Sequence, residues 1–136
     1  MIFLDTNVVS ETLRKRPDSR VVEWLIEHDA ELALPTVTIA EIAYGIQKIR
    51  PAERARRLME GLNEWRRRFA GRIYGFDEEA AMSYGDLMGK AARQDAVMSA
   101  PDGMIAAIAQ TNGGRLATRN VEDFRTTGLS LVSPWD

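Results

Sequence analysis

Three acidic residues carry most of the chemistry that this chain of 136 residues can offer. Asp5 ends the apolar run of "MIFLDTN", Glu41 lies in "TVTIAEIAYGI", and Asp102 lies in "SAPDGMIAAIAQ". A carboxylate buries badly, so one that directly follows Ile2, Phe3 and Leu4 belongs at the edge of a core. Carboxylates gathered at one edge repel one another unless a cation holds them. The chain has no cysteine and one histidine, His28, which disfavours zinc and copper and suits a hard cation such as Mg2+ or Mn2+. A site of that kind permits metal-assisted attack of water on a phosphodiester. His28 reads as a surface residue of its helix, which leaves neither a Ser-His-Asp hydrolase nor a mechanism built on paired histidines.

The elements around these acids decide whether they can meet. Ile2 to Leu4 read as a buried strand, and after a turn Val21, Val22, Trp24 and Leu25 mark an amphipathic helix over 20–27. Leu32 to Leu34 suit a second strand. Ile39, Ile42, Ala43, Ile46 and Ile49 recur at helical spacing up to Pro51, and a further helix runs through Leu58, Leu62, Trp65 and Phe69 to Gly71. Strands at 73–76, 116–118 and 129–132 and helices at 78–92 and 102–110 complete an alternating α/β pattern. Alternation of this kind predicts a mainly parallel sheet with right-handed crossovers, and such sheets bind ligands beyond the carboxyl ends of their strands. Asp5 stands at that edge, and Glu41 and Asp102 fall in the first turns of helices that start there.

A purely structural role is open to each acid. Thr38 with Glu41, and Ser99 with Asp102, match the spacing of a capping box, and Pro101 suits a helix start. Asp5 fits no box, and an acid after a strand can simply bond its own turn.

Composition bounds the rest. With 45% hydrophobic and 28% charged residues the chain can bury one core, and a single domain over 1–136 is expected. No apolar segment approaches a bilayer's thickness and no signal peptide is apparent, so a cytoplasmic protein with no membrane contact is expected. The net charge of -2 conceals a basic stretch from Lys48 to Arg72, where nine basic residues face the three acids Glu53, Glu60 and Glu64, a local balance of +6. A basic helical face suits a polyanion or an acidic partner, and it also suits plain solvent exposure.

In order and spacing, "MIFLDTNVVSE", "TVTIAEIAYGI", "APDGMIAAIAQ" and "LATRNVEDF" followed by "SPW" resemble the PIN-domain ribonucleases of the VapC toxin family, and "SPWD" resembles its FitB-like branch. The resemblance spans essentially the whole chain. It implies a three-layer α/β/α sandwich with a mainly parallel sheet of four to five strands. It also implies Mg2+- or Mn2+-dependent cleavage of RNA by a toxin, a homodimer or toxin–antitoxin hetero-oligomer, and a cognate antitoxin as partner. The acids matching Asp5, Glu41 and Asp102 are then catalytic, with Asp5 and Asp102 as metal ligands. Thr6, Asn7, Thr118 and Asn120 lie beside them in the motifs and suit hydrogen bonds that orient carboxylates and water. Asn120 departs from the pattern, because many members carry a fourth acid there; it can cap a short helix but adds no charge, and Asp123 follows three residues later. That departure keeps a second reading alive, a weak or inactive PIN module that binds RNA or a partner protein. An aspartyl-phosphate enzyme or receiver fits less well, since "DTN" lacks the Asp-x-Asp pair of the phosphatases.

Overall fold

The computed structural model describes residues 1–136. Five short strands, β1 (Ile2–Leu4), β2 (Leu32–Pro35), β3 (Ile73–Tyr74), β4 (Arg115–Ala117) and β5 (Leu131–Val132), form one sheet in the order β3-β2-β1-β4-β5. Every pairing is parallel, with Phe3 opposite both Ala33 and Leu116. β1 therefore sits in the middle, and the chain winds outward from it first on one side and later on the other. The crevice of such a sheet opens where the winding reverses, at the carboxyl ends of β1 and β4.

Six helices cover the sheet: α1 (Thr6–Thr12), α2 (Ser19–Glu27), α3 (Thr36–Gln47), α4 (Ala52–Arg68), α5 (Glu78–Arg93) and α6 (Ala100–Thr111). Alternation along the strands divides the apolar residues between two faces, as a period of two requires. Ile2, Leu4, Leu32 and Leu34 pack with Val8 and Val9 of α1, Val21 and Leu25 of α2, Ile42 and Ile46 of α3, and Leu62 of α4. Phe3, Ala33 and Leu116 face the other way, onto Ala80, Leu87 and Ala91 of α5 and the run Ile105–Ala109 of α6. The three-layer α/β/α arrangement implied by the resemblance is the one observed. No helix is long and apolar enough to cross a membrane.

The structure corrects four local readings. Residues 6–12, expected as a turn, form α1, which Asp5 caps by accepting from the Thr6 amide at 2.8 Å. Its β-branched residues obscured the helix, and tertiary burial of Val8 and Val9 outweighs their weak propensity. Helix α3 begins at Thr36, so Glu41 lies in its second turn rather than its first. Thr38 is consequently no cap: it is fully buried inside the helix and donates to the Leu4 carbonyl at 2.8 Å. Asn120 precedes a short 3-10 turn (Val121–Phe124) without a side-chain capping bond.

Gly114 shows how tightly the centre is built. A Cβ there would stand 2.6 Å from the ring of Phe3, which is completely buried beneath the start of β4. Gly114→Ala is therefore expected to lower unfolding stability by about 1–3 kcal/mol, the usual cost of overpacking. Urea denaturation checks this, and an unchanged midpoint would contradict the packing.

Candidate active site

The edge at the ends of β1 and β4 holds the acids expected to converge. Asp5 is 3% exposed. Its Oδ1 accepts from the Thr6 amide at 2.8 Å, and its Oδ2 accepts from the Thr118 hydroxyl at 2.7 Å and the Asn7 side-chain amide at 3.1 Å. All three donors are neutral. They occupy three of the roughly four lone-pair positions that a carboxylate presents, leaving one open on Oδ1.

Two neighbours fix the donors in turn. Thr118 Oγ1 accepts from the Asn120 amide at 3.1 Å, and Asn7 Oδ1 accepts from the Arg119 amide at 3.1 Å. Thr6, Asn7, Thr118 and Asn120, expected as hydrogen-bonding support, thus form one connected set around Asp5, with Asn120 contributing its backbone rather than its side chain.

Glu41 reaches the same edge from α3. Its Oε1 accepts a short hydrogen bond from the Thr6 hydroxyl. One turn earlier on the same helix, Thr38 bonds the carbonyl of Leu4. α3 is therefore tied to the residues on both sides of Asp5, and the Thr-x-x-Glu spacing that resembles a capping box serves this tie instead. Asp102 arrives from the first turn of α6, whose N-cap Ser99 accepts from the Asp102 amide at 3.2 Å. Half of the expected box is present there.

The electrostatics show that the acids share one field. Burial pushes the Asp5 carboxyl above its usual value; the Thr118, Thr6 and Asn7 hydrogen bonds oppose this, and the charge of Glu41 adds to it. Asp102 is pushed up to about 6, first by burial and then by the negative charge of Asp5; a hydrogen bond with Ser99 opposes this, and the charges of Glu41 and Asp123 add smaller amounts. Asp123 therefore supplies negative charge near Asp102, where Asn120 cannot. None of the protein's five ion pairs involves Asp5, Glu41 or Asp102. His28 takes no part: it ends α2, where its Nδ1 lies 2.9 Å from the Trp24 carbonyl and its ring stacks on Trp24.

The donor set fits a hard divalent cation. No three Asp, Glu, His or Cys side chains close into a cage around a single point. Mg2+ does not need one, since it keeps several waters and is held through one or two carboxylates. Asp5, with one lone pair free, and Asp102, close enough to feel the charge of Asp5, are the residues that could supply those two.

This arrangement defines a parallel α/β domain whose chemistry is an anionic crevice at the centre of its sheet. The family model for the PIN domain matches residues 2–128. A relative named VapC ribonuclease Y4jK, from Sinorhizobium fredii, is 37% identical over 100% of this chain and 99% of its own length. The crystal structure of FitAcB from Neisseria gonorrhoeae matches with a TM-score of 0.92 at 36% identity, covering 99% of each chain. VapBC2 from Rickettsia felis, bound to a DNA fragment from its promoter, matches at a TM-score of 0.84 and 26% identity over 100% of both chains. The chain belongs to the PIN-domain family.

A carboxyl whose value is raised on folding binds its proton more tightly in the native state. Stability contributed in this way is present at low pH and is lost as pH rises from the unfolded value of 3.8 through about 6. Without divalent ions, Asp102→Asn should melt a few degrees above the parent at pH 7, with the difference vanishing towards pH 4. Thermal denaturation in EDTA across that range checks it; an equal or lower melting temperature at pH 7 would contradict the crowding.

Proposed function

We propose that the chain is a divalent-metal-dependent endoribonuclease, the toxin of a type II toxin–antitoxin pair. The observation that carries this reading is the uncompensated anionic crevice: the charges of Asp5 and Glu41 reach Asp102, only neutral donors bond Asp5 and Glu41, and no ion pair involves any of the three. A relative named as a ribonuclease, and structural counterparts solved as VapBC and FitAB complexes, support it.

In this reading Asp5 and Asp102 would hold Mg2+ or Mn2+. Such an ion, when bound, lowers the pKa of water and offsets charge on the attacking and leaving oxygens of a phosphodiester. Glu41, oriented through its Oε1 by the Thr6 hydroxyl, keeps Oε2 uncommitted and takes up the proton of the attacking water. Thr118 and Asn7 hold the Asp5 carboxyl through Oδ2, which leaves Oδ1 with the Thr6 amide as its one donor. Asp123 adds a small amount of negative charge at Asp102, where Asn120 adds none.

A partner site is also built. Val22, Leu25 and Ile26 of α2 and Trp65 and Phe69 at the end of α4 line an open apolar cleft of about 330 Å3. An amphipathic antitoxin helix suits it. We further propose a single functional domain over 1–136 working in the cytoplasm, as a homodimer or a toxin–antitoxin hetero-oligomer.

Incubation of antitoxin-free protein with tRNA and structured RNA tests the reading. Cleavage is expected in Mg2+ or Mn2+, with loss of at least 100-fold in EDTA or in Asp5→Asn and Asp102→Asn. Variants that cleave like the parent would overturn the catalytic assignment.

A further inference from the structure

The basic stretch from Lys48 to Arg72 does not act as one surface. Its carboxyl-terminal members are committed to the protein itself. Arg66 bonds Asn63, Arg67 pairs with Glu64, and Arg68 pairs with Asp29. Arg72 donates to the carbonyls of Asp29 and Leu32 and lies over the ring of Phe69. Earlier in α4 the pattern reverses. Arg54 and Arg57 are exposed, belong to no ion pair, and face a cleft of about 590 Å3 between the first half of α4 and the chain leaving α1.

That cleft is cationic from both walls. Arg14 and Lys15 close it opposite Arg54 and Arg57, and no acidic residue lines it. Only Arg14 has a counterion, the buried Glu11 at 3.3 Å. Convergent cations without partners repel, and Arg54 in the first turn of α4 also opposes the helix dipole. Stability does not explain the arrangement. The floor is fixed, because a Cβ on Gly61 would stand 2.7 Å from Leu13 Cδ2, so α4 lies close against the turn that carries Arg14 and Lys15.

We propose that this cleft binds the phosphodiester backbone of single-stranded RNA at a point separate from the carboxylate crevice. The proposal rests on the ribonuclease reading. Asp5 caps one end of α1 and the cleft begins at the other, so the two sites are separated by the length of a seven-residue helix, roughly 10 Å. A few nucleotides of extended strand span that distance. Arginine forks suit phosphate oxygens; the cleft has no aromatic residue, and its two apolar lining residues, Leu13 and Leu58, are outnumbered by the four cations. The apolar cleft lies on the far side of a divider, Thr12, which lines both and accepts from Trp65 Nε1 at 3.0 Å. Phosphate and protein surfaces are thus segregated by one side chain.

Fluorescence anisotropy with labelled oligouridylate in EDTA, across a salt series, tests the cleft without requiring cleavage. Arg54→Gln combined with Arg57→Gln should weaken binding about tenfold and reduce the slope of log affinity against log salt by about 1.4, the value for two single-strand phosphate contacts. Arg56→Gln combined with Arg66→Gln removes the same charge from exposed positions of α4 outside the cleft, and should stay within about twofold of the parent. Equal losses in both pairs, or none in the cleft pair, would overturn the proposal. So would polyglutamate binding as tightly as oligouridylate and with the same dependence on Arg54 and Arg57, which would assign the cleft to an acidic protein. Adding Mn2+ separates the two readings. RNA bound through the cleft but never cut would sink the nuclease reading alone, and RNA cut by the parent while the cleft pair binds undiminished would sink the cleft alone.

Discussion

A buried carboxylate held only by neutral donors is the constraint around which this molecule is arranged. Asp5 is enclosed at the end of the central strand, where an isolated charge is costly unless it is hydrogen-bonded or paired. Thr6, Asn7 and Thr118 provide the bonds and no residue provides the opposing charge. The energetic deficit stays in the site. Adding Glu41 and Asp102 deepens it, as the raised carboxyl of Asp102 records.

The rest of the fold can be seen as the apparatus that keeps this deficit in place. The Asp5 amide donates to the Ala117 carbonyl at 2.9 Å, Leu4 accepts from Thr38, and Thr6 donates to Glu41. Three consecutive residues are thereby fastened to β4 and α3, which holds Asp5 and Glu41 at one edge. Beneath them the central strand is buried on both faces, with Phe3 directed one way and Ile2 and Leu4 the other. On the proposed reading, a cation entering the crevice would meet oxygen ligands already positioned, which would lower the cost of ordering them at binding.

Much of this was legible in the residues. Alternation of strand and helix led to the parallel sheet, and the placing of Asp5 after an apolar run led to its edge. Asp102 was legible because Ser99 and Pro101 mark a helix start beside it. Other features were hidden for physical reasons. Helix α1 has too few residues and too many β-branched ones to announce itself by periodicity. The true role of Thr38 depends on a carbonyl 34 positions away in the chain, which local spacing cannot distinguish from a cap. The basic stretch looked uniform because charge is visible in a sequence and pairing is not: Arg68 finds Asp29 across 39 positions, whereas Arg54 and Arg57 find no acid at all.

Direct titration of the metal-free protein with Mn2+, followed by calorimetry, bears most closely on the central claim. A saturable site is expected at pH 7.5 that weakens strongly as pH falls below about 6, where Asp102 takes up its proton, and that disappears in Asp5→Asn. Binding that is indifferent to pH across that range, or that survives intact without the Asp5 carboxylate, would contradict it.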